Sequence, residues 1–283
     1  SMLTDILSEG ITNPVGGPQD EDNVECSKAV QILVTTVPSM IKAQIQCYPT
    51  SSIISRCTEE FCLRIMCTYI TIASLLRPVT ERSRLRTAKD MAALEVVLAS
   101  AYPLDKQANP VTREFKAFRQ LLFSEESPSS HTPTKKTGTI KNDVPSASKL
   151  LELDFVKDIR PSTLLNHLGA CAPTQMPSPH TKSNDNTRDY IANLTIPSSI
   201  STRISDKNIP SVKSLYPIMD DTDDTVKWNE LSSEIKAWES ISSCLDILME
   251  RTAVASDSRS KVTLRAWYET LVELGGYLLP RKE

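Results

Sequence analysis

The sequence predicts an all-α protein, and three observations support that fold class. Leu, Ile, Ala, Glu and Lys are common, whereas only seven glycines occur in 283 residues. Apolar residues recur at steps of three and four along several stretches, which is the spacing of one helical face. No stretch of useful length alternates apolar and polar residues as a half-buried strand does. The expected architecture is an elongated bundle or rod of antiparallel helices with disordered Pro/Ser-rich insertions.

The first predicted helix has one apolar face. Its face consists of Val30, Leu33, Val34, Val37, Ile41 and Ile45. Pro38 is expected to break or bend this helix near Val37, because proline removes a backbone donor and crowds the preceding turn.

Two longer helices are predicted next. One extends from about Ser52 to Leu76 and ends before Pro78, because a residue that precedes proline disfavours the helical conformation. The other extends from about Glu81 to Tyr102. Its predicted buried face consists of Leu85, Ala88, Ala92, Val96 and Ala99, widened by Leu94 and Leu98.

The remaining predicted helices are shorter or lie near the C-terminus. One begins near Pro110 and buries Val111, Phe115, Phe118 and Leu122. A short one begins at Pro161, with Gly169 as its expected C-cap. Two more are predicted to form a helical hairpin. The apolar face of one consists of Trp228, Leu231, Ile235, Trp238, Leu245 and Leu248, and that of the other of Leu264, Trp267, Leu271, Leu274 and Leu278. The apolar faces of all these helices offer almost no ionisable group that would point inward.

Composition divides the chain into segments. Residues 1–22 are predicted to be a flexible leader and residues 23–124 an N-terminal helical bundle. Residues 125–148 are rich in Ser, Thr, Pro and Lys, and such a segment buries too little apolar surface to offset the entropy of ordering. It is therefore predicted to be a disordered insertion. Residues 149–283 form the C-terminal helical segment, in which residues 173–212 are a predicted linker.

Charge and cysteine content limit the classes of function. The formal net charge is −3 and the pI is about 5.8, so the overall charge gives no sign of nucleic-acid binding. Most of the seven cysteines lie within apolar helical patterns, where free cysteine acts as a small buried hydrophobe. This pattern favours a reducing compartment.

Three cysteines spaced by five residues, Cys57, Cys62 and Cys67, are weak candidates for a metal site. Successive thiols on a helix would be rotated by about 140°, so they cannot converge on one ion. His167 and Cys171 could be imagined as a nucleophilic pair, but no third residue to orient them and no oxyanion donors are evident. The three histidines all lie in or near predicted linkers. We predict no catalytic residues, no metal and no cofactor.

Two further motifs have simple structural interpretations. The acidic run Asp220–Asp224 lacks the sixth-position Gly and twelfth-position Glu of a calcium loop, and it suits the positive N-terminal end of the next helix. Gly275 and Gly276 follow no phosphate-binding pattern, and they either weaken the last helix or permit close packing.

A basic cluster at Arg82, Arg84, Arg86 and Lys89 is the candidate contact for a partner or an anionic membrane. The sequence favours an ordinary solvated helix face over such a contact, because the pattern spans only one turn of helix and no aromatic residues are interleaved with the cations. Arg77 is expected to stabilise the turn by bonding helix-terminal carbonyls.

Three segments together carry a family resemblance. LLRPVTERSRLRTAKDMAALEVVL at residues 75–98, FRQLLF at 118–123 and IRPSTLLNHLGACAPTQMPSPH at 159–180 occur in that order. They resemble the C-terminal region of the subunit five family of the conserved oligomeric Golgi complex. The resemblance extends loosely over residues 50–283, including the tryptophan-bearing helices.

The resemblance implies a non-enzymatic, helical-rod subunit of a vesicle-tethering complex. Its expected partners are the other subunits of that complex, especially subunit seven, together with the vesicle tethering and fusion machinery. Its expected place is the cytoplasmic face of the Golgi membrane, held peripherally through the complex, with a scaffold role in retrograde intra-Golgi transport. A helical adaptor that binds anionic membrane or nucleic acid through the basic cluster is the alternative.

Overall fold

The computed structural model describes residues 25–47, 52–77, 79–101, 109–124, 144–171, 177–178, 184–195, 215–216 and 231–279. Within these ranges all regular structure is helical, which confirms the predicted all-α class. The α-helices are α1 (Lys28–Cys47), α2 (Ser52–Ser74), α3 (Glu81–Ala101), α4 (Pro110–Phe123), α5 (Ala147–Leu151), α6 (Pro161–Cys171), α7 (Asn184–Thr195), α8 (Ser232–Val254) and α9 (Ser258–Leu278). A 3₁₀ helix at Asp154–Asp158 lies between α5 and α6.

Helices α2 and α6 form the centre of the core. The C-terminal half of α2, from Cys62 to Ser74, is buried on nearly all sides, with Arg64 the half-buried exception. Every residue of α6 is buried. A helix buried all round needs neighbours on every face. Accordingly α2 packs against α4, α6 and α7, while α6 also packs against α8 and α9.

One hydrophobic core joins residues from Ala29 to Leu279. It includes residues of both the predicted N-terminal bundle (23–124) and the predicted C-terminal segment (149–283). Because both segments contribute to the same core, the core does not mark a boundary between them, and the predicted division stays a prediction. The leader at 1–22 lies outside the described residues, as does most of the insertion at 125–148, of which residues 144–148 lead into and begin α5.

Polar side chains cap the N-terminal ends of two helices. The side chain of Asn109 accepts a hydrogen bond from the Val111 backbone N–H at 3.0 Å, and Pro110 occupies the first turn of α4. Asp257 caps α9 in the same way through the Ser260 N–H at 2.9 Å. Helices α8 and α9 pack against each other, which confirms the predicted hairpin. Leu245 and Leu248 are buried as predicted, Ile235 is 41% exposed, and Trp228 lies outside the described residues.

Two helices continue through a residue at which the sequence predicts an interruption: the break at Pro38 does not occur, and the predicted C-cap at Gly169 is wrong. Helix α1 continues through Pro38, because Val37 and Ile41 on either side are buried and their packing outweighs the lost backbone hydrogen bond. Helix α6 continues through Gly169 to Cys171, so Gly169 is not its C-cap. In both cases tertiary burial overrides a local signal.

A helix also lies where the sequence predicts a linker. Helix α7, Asn184–Thr195, falls within residues 173–212. Its buried residues Tyr190, Ile191 and Leu194 form a short apolar face, and the helix packs against α2 and α8. The surrounding Pro, Ser and Asn residues conceal this short pattern in the sequence.

The predicted buried face of α3 is partly reversed. Met91, Leu94 and Leu98 are buried, but Leu85 is 44% exposed and Val96 is 70% exposed. The buried side also includes Asp90 at 2% exposure. Because Asp90 is charged, the sequence pattern suggests that its side of α3 faces solvent, and Leu85 and Val96 on the other side were predicted to be buried instead.

Candidate functional site: a buried polar network and the exposed face of helix α3

A buried ion pair lies at the N-terminal end of α6. Arg160 immediately precedes the helix, and its backbone carbonyl accepts the first helical hydrogen bond from Leu164 at 3.0 Å. Its Nε donates to both carboxylate oxygens of Glu114 on α4, at 3.1 and 2.9 Å. The side chains are 1% and 0% exposed. A charge pair this deeply buried is favourable only when its remaining donors and acceptors are also satisfied.

The other hydrogen bonds of Arg160 meet that condition. Its guanidinium donates to the carbonyl of Leu194 on α7 at 2.7 Å and to the Thr71 hydroxyl on α2 at 3.1 Å. The Arg160 Cζ also lies 5.5 Å from the centre of the Tyr216 ring, within cation–π range. One side chain thus links α2, α4, α6, α7 and the segment that contains Tyr216.

Glu114 is equally well satisfied. It accepts hydrogen bonds from the Arg160 backbone N–H at 3.2 Å, from the Thr163 hydroxyl at 2.8 Å and from the Tyr216 hydroxyl. Burial raises the pKa of Tyr216 well above its usual value, so the phenol stays protonated and remains a donor.

A second carboxylate, Glu234 in the first turn of α8, caps the same end of α6. It accepts from the Ser162 backbone N–H at 2.8 Å and from the Ser162 hydroxyl at 2.9 Å. Burial raises the pKa of Glu234, while the charge of Arg160 acts in the opposite direction. Two carboxylates therefore converge on the positive end of the α6 dipole, which favours negative charge.

Sequence reasoning missed this network and wrongly predicted almost no inward-facing ionisable groups. A signal was present for Glu114, which lies three residues after Val111 and four before Phe118, on the predicted buried face of α4. Arg160 had no such signal, because it precedes a proline outside any periodic segment. Its partners come from sequence-distant helices that only the fold brings together.

A smaller polar cluster joins α1, α2 and α3. Asp90 on α3 accepts two hydrogen bonds. One comes from the backbone N–H of Ser27, which lies just before α1, at 2.7 Å, and the other from the Tyr69 hydroxyl on α2 at 3.1 Å. Burial raises the pKa of Asp90, and these two hydrogen bonds partly oppose that shift. Because these hydrogen bonds satisfy the Asp90 carboxylate, the side of α3 that carries it can face the core.

His167 and Cys171 do come together, but in a form that does not suit nucleophilic chemistry. The Cys171 Sγ lies 3.9 Å from His167 Nε2, and both residues are buried in α6 rather than near a linker. Burial lowers the pKa of His167 to about 3 and raises that of Cys171 to about 12. At neutral pH the pair is therefore an uncharged imidazole and a thiol, whereas a nucleophilic pair needs a thiolate. The His167 ring packs edge-on against Phe118, with centroids 5.4 Å apart.

The neutral state of His167 gives a prediction for acid stability. Below its unfolded-state pKa of about 6.5 the unfolded chain binds a proton that the folded chain does not, so acidification favours unfolding. We expect His167 to reduce the free energy of unfolding by up to about 1.4 kcal/mol per pH unit between about pH 6.5 and pH 4. Urea unfolding at several pH values should show a smaller slope for His167→Gln than for the wild type.

The difference between the slopes of the wild type and His167→Gln reports the protonation of His167 alone. Asp90 and Glu234 have raised pKa values, so their stabilising contributions are present at low pH and are lost as the pH rises. These two contributions are the same in the wild type and in His167→Gln, so they cancel when the two slopes are subtracted. Equal slopes for wild type and His167→Gln would show that His167 takes up a proton in the fold.

The structure separates the four predicted contact residues into two pairs. Arg82 and Lys89 are exposed, whereas Arg84 and Arg86 are half-buried. Arg84 lies beside Cys171, where its charge opposes the raised pKa of the thiol. Arg77 donates to the carbonyl of Pro177 at 3.4 Å, in the segment after α6.

The other candidate residues do not form a site in the described part of the chain. Cys62 and Cys67 are buried, and burial raises both pKa values to about 11, whereas Cys57 is exposed. Within the described ranges, no group of three His, Cys, Asp or Glu residues is placed to hold a metal ion. The acidic run at 220–224 lies outside those ranges. None of the described helices combines the length and hydropathy needed to cross a bilayer.

Comparison with known proteins identifies one class of relative. Over 142 residues the chain is 32% identical to conserved oligomeric Golgi complex subunit 5 of Arabidopsis thaliana. The match covers 50% of this chain and 14% of that protein's length. The chain is thus a distant homologue of this subunit over half of its residues, in agreement with the resemblance seen in the sequence. No protein-family model matches the chain. No solved structure matches it.

Proposed function

We propose that this chain acts as a non-enzymatic helical scaffold in a Golgi vesicle-tethering complex, with a role in retrograde intra-Golgi transport. The observation that carries this proposal is the 32% identity to a subunit of the conserved oligomeric Golgi complex. The partners we propose are the other subunits of that complex, with subunit seven as the most direct one. The chain would lie at the cytoplasmic face of the Golgi, held there peripherally by the complex.

The arrangement of polar residues supports a scaffold role. The Arg160–Glu114 pair and Glu234 use their hydrogen-bonding groups on neighbouring helices inside the core. His167 and Cys171 are held in their neutral forms. Such a network fixes the relative positions of helices, which a protein that holds partners at set distances requires.

The alternative adaptor function has less support from the geometry. It needs Arg82, Arg84, Arg86 and Lys89 to act as one surface, because binding to phosphates grows with the number of charges that contact them. Only Arg82 and Lys89 are exposed, and Arg84 lies against α6. We therefore favour a protein partner over nucleic acid or lipid for this face.

Affinity purification tests the proposal. The tagged chain, expressed in cells of its own organism, should enrich other subunits of the oligomeric Golgi complex in quantitative mass spectrometry and should localise to the Golgi by fluorescence microscopy. A chain with Arg160→Ala and Glu114→Ala, which removes the buried pair, is the control and should lose this enrichment. Recovery of nucleic acid or membrane without any complex subunit would contradict the proposal.

A further inference from the structure

The exposed side of α3 combines apolar and basic residues at a regular spacing. Arg82, Leu85, Lys89, Ala92 and Val96 are all exposed. They follow one another at steps of three, four, three and four. At 100° per residue these five positions fall within an arc of about 80° and extend over about 21 Å of helix. We call these five residues the α3 stripe.

This spacing is typical of a seam between two helices. Steps of three and four keep the same side of a helix facing a partner helix. The apolar members differ in size, from Ala92 to Leu85, and a small residue lets a neighbouring backbone approach closely. Leu85 is 44% exposed and Val96 is 70% exposed, and the two lie about 16 Å apart along the helix axis with Ala92 between them.

The charge of the α3 stripe indicates the chemistry of its partner. Both charged members, Arg82 and Lys89, are basic. Of the acidic residues of α3, Asp90 is buried, and Glu95 accepts a hydrogen bond from Arg119 of α4 at 3.2 Å. The exposed Glu81 precedes Arg82 in the first turn, so the stripe beyond that turn carries positive charge. An acidic surface would therefore be attracted to this side of α3.

On the basis of the proposed function, we infer that the α3 stripe binds an amphipathic helix of another tethering-complex subunit, with apolar residues that pack on Leu85, Ala92 and Val96 and acidic residues that face Arg82 and Lys89. An anionic membrane fits less well. Helices that lie in a membrane surface bury bulky apolar residues such as Trp, Phe and Leu, whereas Leu85 is the only such residue in the stripe.

The tip of the α8–α9 hairpin is a useful contrast. Met249, Val254 and Val262 are also exposed there. Exposed residues of both signs, Arg251 and Asp257, lie among them. Because charges of both signs are present, the hairpin tip does not favour a partner of one charge. Its exposed apolar residues therefore provide control positions of similar size and exposure.

Binding of the purified full chain to purified subunit seven of the same organism tests the inference. We expect Val96→Glu and Lys89→Glu each to raise the Kd by about tenfold or more, because each places an acidic group against an acidic, apolar partner face. The Lys89→Glu effect should diminish as the salt concentration rises. Val254→Glu, at a position 84% exposed on the hairpin tip, should leave the Kd within about twofold.

The outcomes separate the inference from the proposed function. Unchanged Kd values for both stripe variants, with tight wild-type binding, would overturn the stripe and leave the proposed function in place. Failure of the wild type to bind would contradict the proposed partnership and the stripe with it. Co-sedimentation with phosphatidylserine vesicles that Lys89→Glu abolishes, alongside subunit binding that Val96→Glu does not change, would assign the surface to lipid instead. Melting curves should show all variants folded, since the substituted side chains are exposed.

Discussion

Replacing Arg160 with Leu is expected to lower the free energy of unfolding by about 3–5 kcal/mol. The substitution leaves the Glu114 carboxylate buried without its cation and removes the hydrogen bonds to Thr71 and Leu194. An uncompensated buried charge and unsatisfied carbonyl are among the costliest defects in a protein core. Urea unfolding followed by circular dichroism gives the change, provided that the slope against denaturant stays constant.

An exposed ion pair provides the matched control. Arg265 and Glu269 on α9 are 2.7 Å apart, but their side chains are 75% and 59% exposed. Arg265→Leu should therefore change stability by no more than about 0.5 kcal/mol. The double variant Arg160→Leu with Glu114→Leu should lose less than the sum of the two single losses, because no lone charge remains. A cost for Arg160→Leu as small as that of the control would mean that the pair is not buried.

Gly275→Ala is expected to destabilise the protein by up to about 2 kcal/mol, although alanine is the better helix former. A Cβ at this position would lie 2.0 Å from the Cη2 and 2.2 Å from the Cζ3 of Trp238 on α8. The indole ring would have to move, at a cost of about 1–3 kcal/mol for overpacking. A gain of about 1 kcal/mol from helix propensity offsets only part of that cost. The thermal midpoint and urea midpoint should both fall.

The neighbouring glycine tests the explanation with the opposite sign. A Cβ on Gly276 would meet nothing within 4 Å. Gly276→Ala should therefore stabilise the protein by about 0.5–1 kcal/mol through helix propensity alone. In a Trp238→Ala background, Gly275→Ala should lose its penalty. If both alanine variants stabilised the wild-type protein equally, the close contact between α8 and α9 would be absent.

Much of the helical framework could be predicted from apolar spacing. In α4 the sequence predicted the start near Pro110 and the burial of Val111, Phe115, Phe118 and Leu122, all of which the structure confirms. The two glycines late in the last helix left two interpretations open, and the structure supports close packing at Gly275. These features depend on residues close together in the chain, so their signals are local.

The errors arise where distant residues meet. The predicted buried face of α3 is partly right, since Leu94 and Leu98 are buried, whereas Leu85 and Val96 are exposed. Asp90 looks like a surface residue in the sequence, yet Ser27 and Tyr69 satisfy it in the core. Arg160 was overlooked because its partner Glu114 lies 46 positions away. Of the four basic residues proposed as a contact, the fold turns Arg84 towards Cys171. Sequence spacing gives the side of a helix on which a residue lies, but not which side will find a neighbour.

The proposed scaffold role requires that this chain bind another subunit of a Golgi tethering complex. Size-exclusion chromatography with multi-angle light scattering tests it most directly, using the purified chain mixed with purified subunit seven from the same organism. We expect one new peak whose mass equals the sum of the two proteins, and this peak should disappear when Val96→Glu and Lys89→Glu are combined. Separate elution of the two proteins at their individual masses, at concentrations well above those expected in cells, would contradict it.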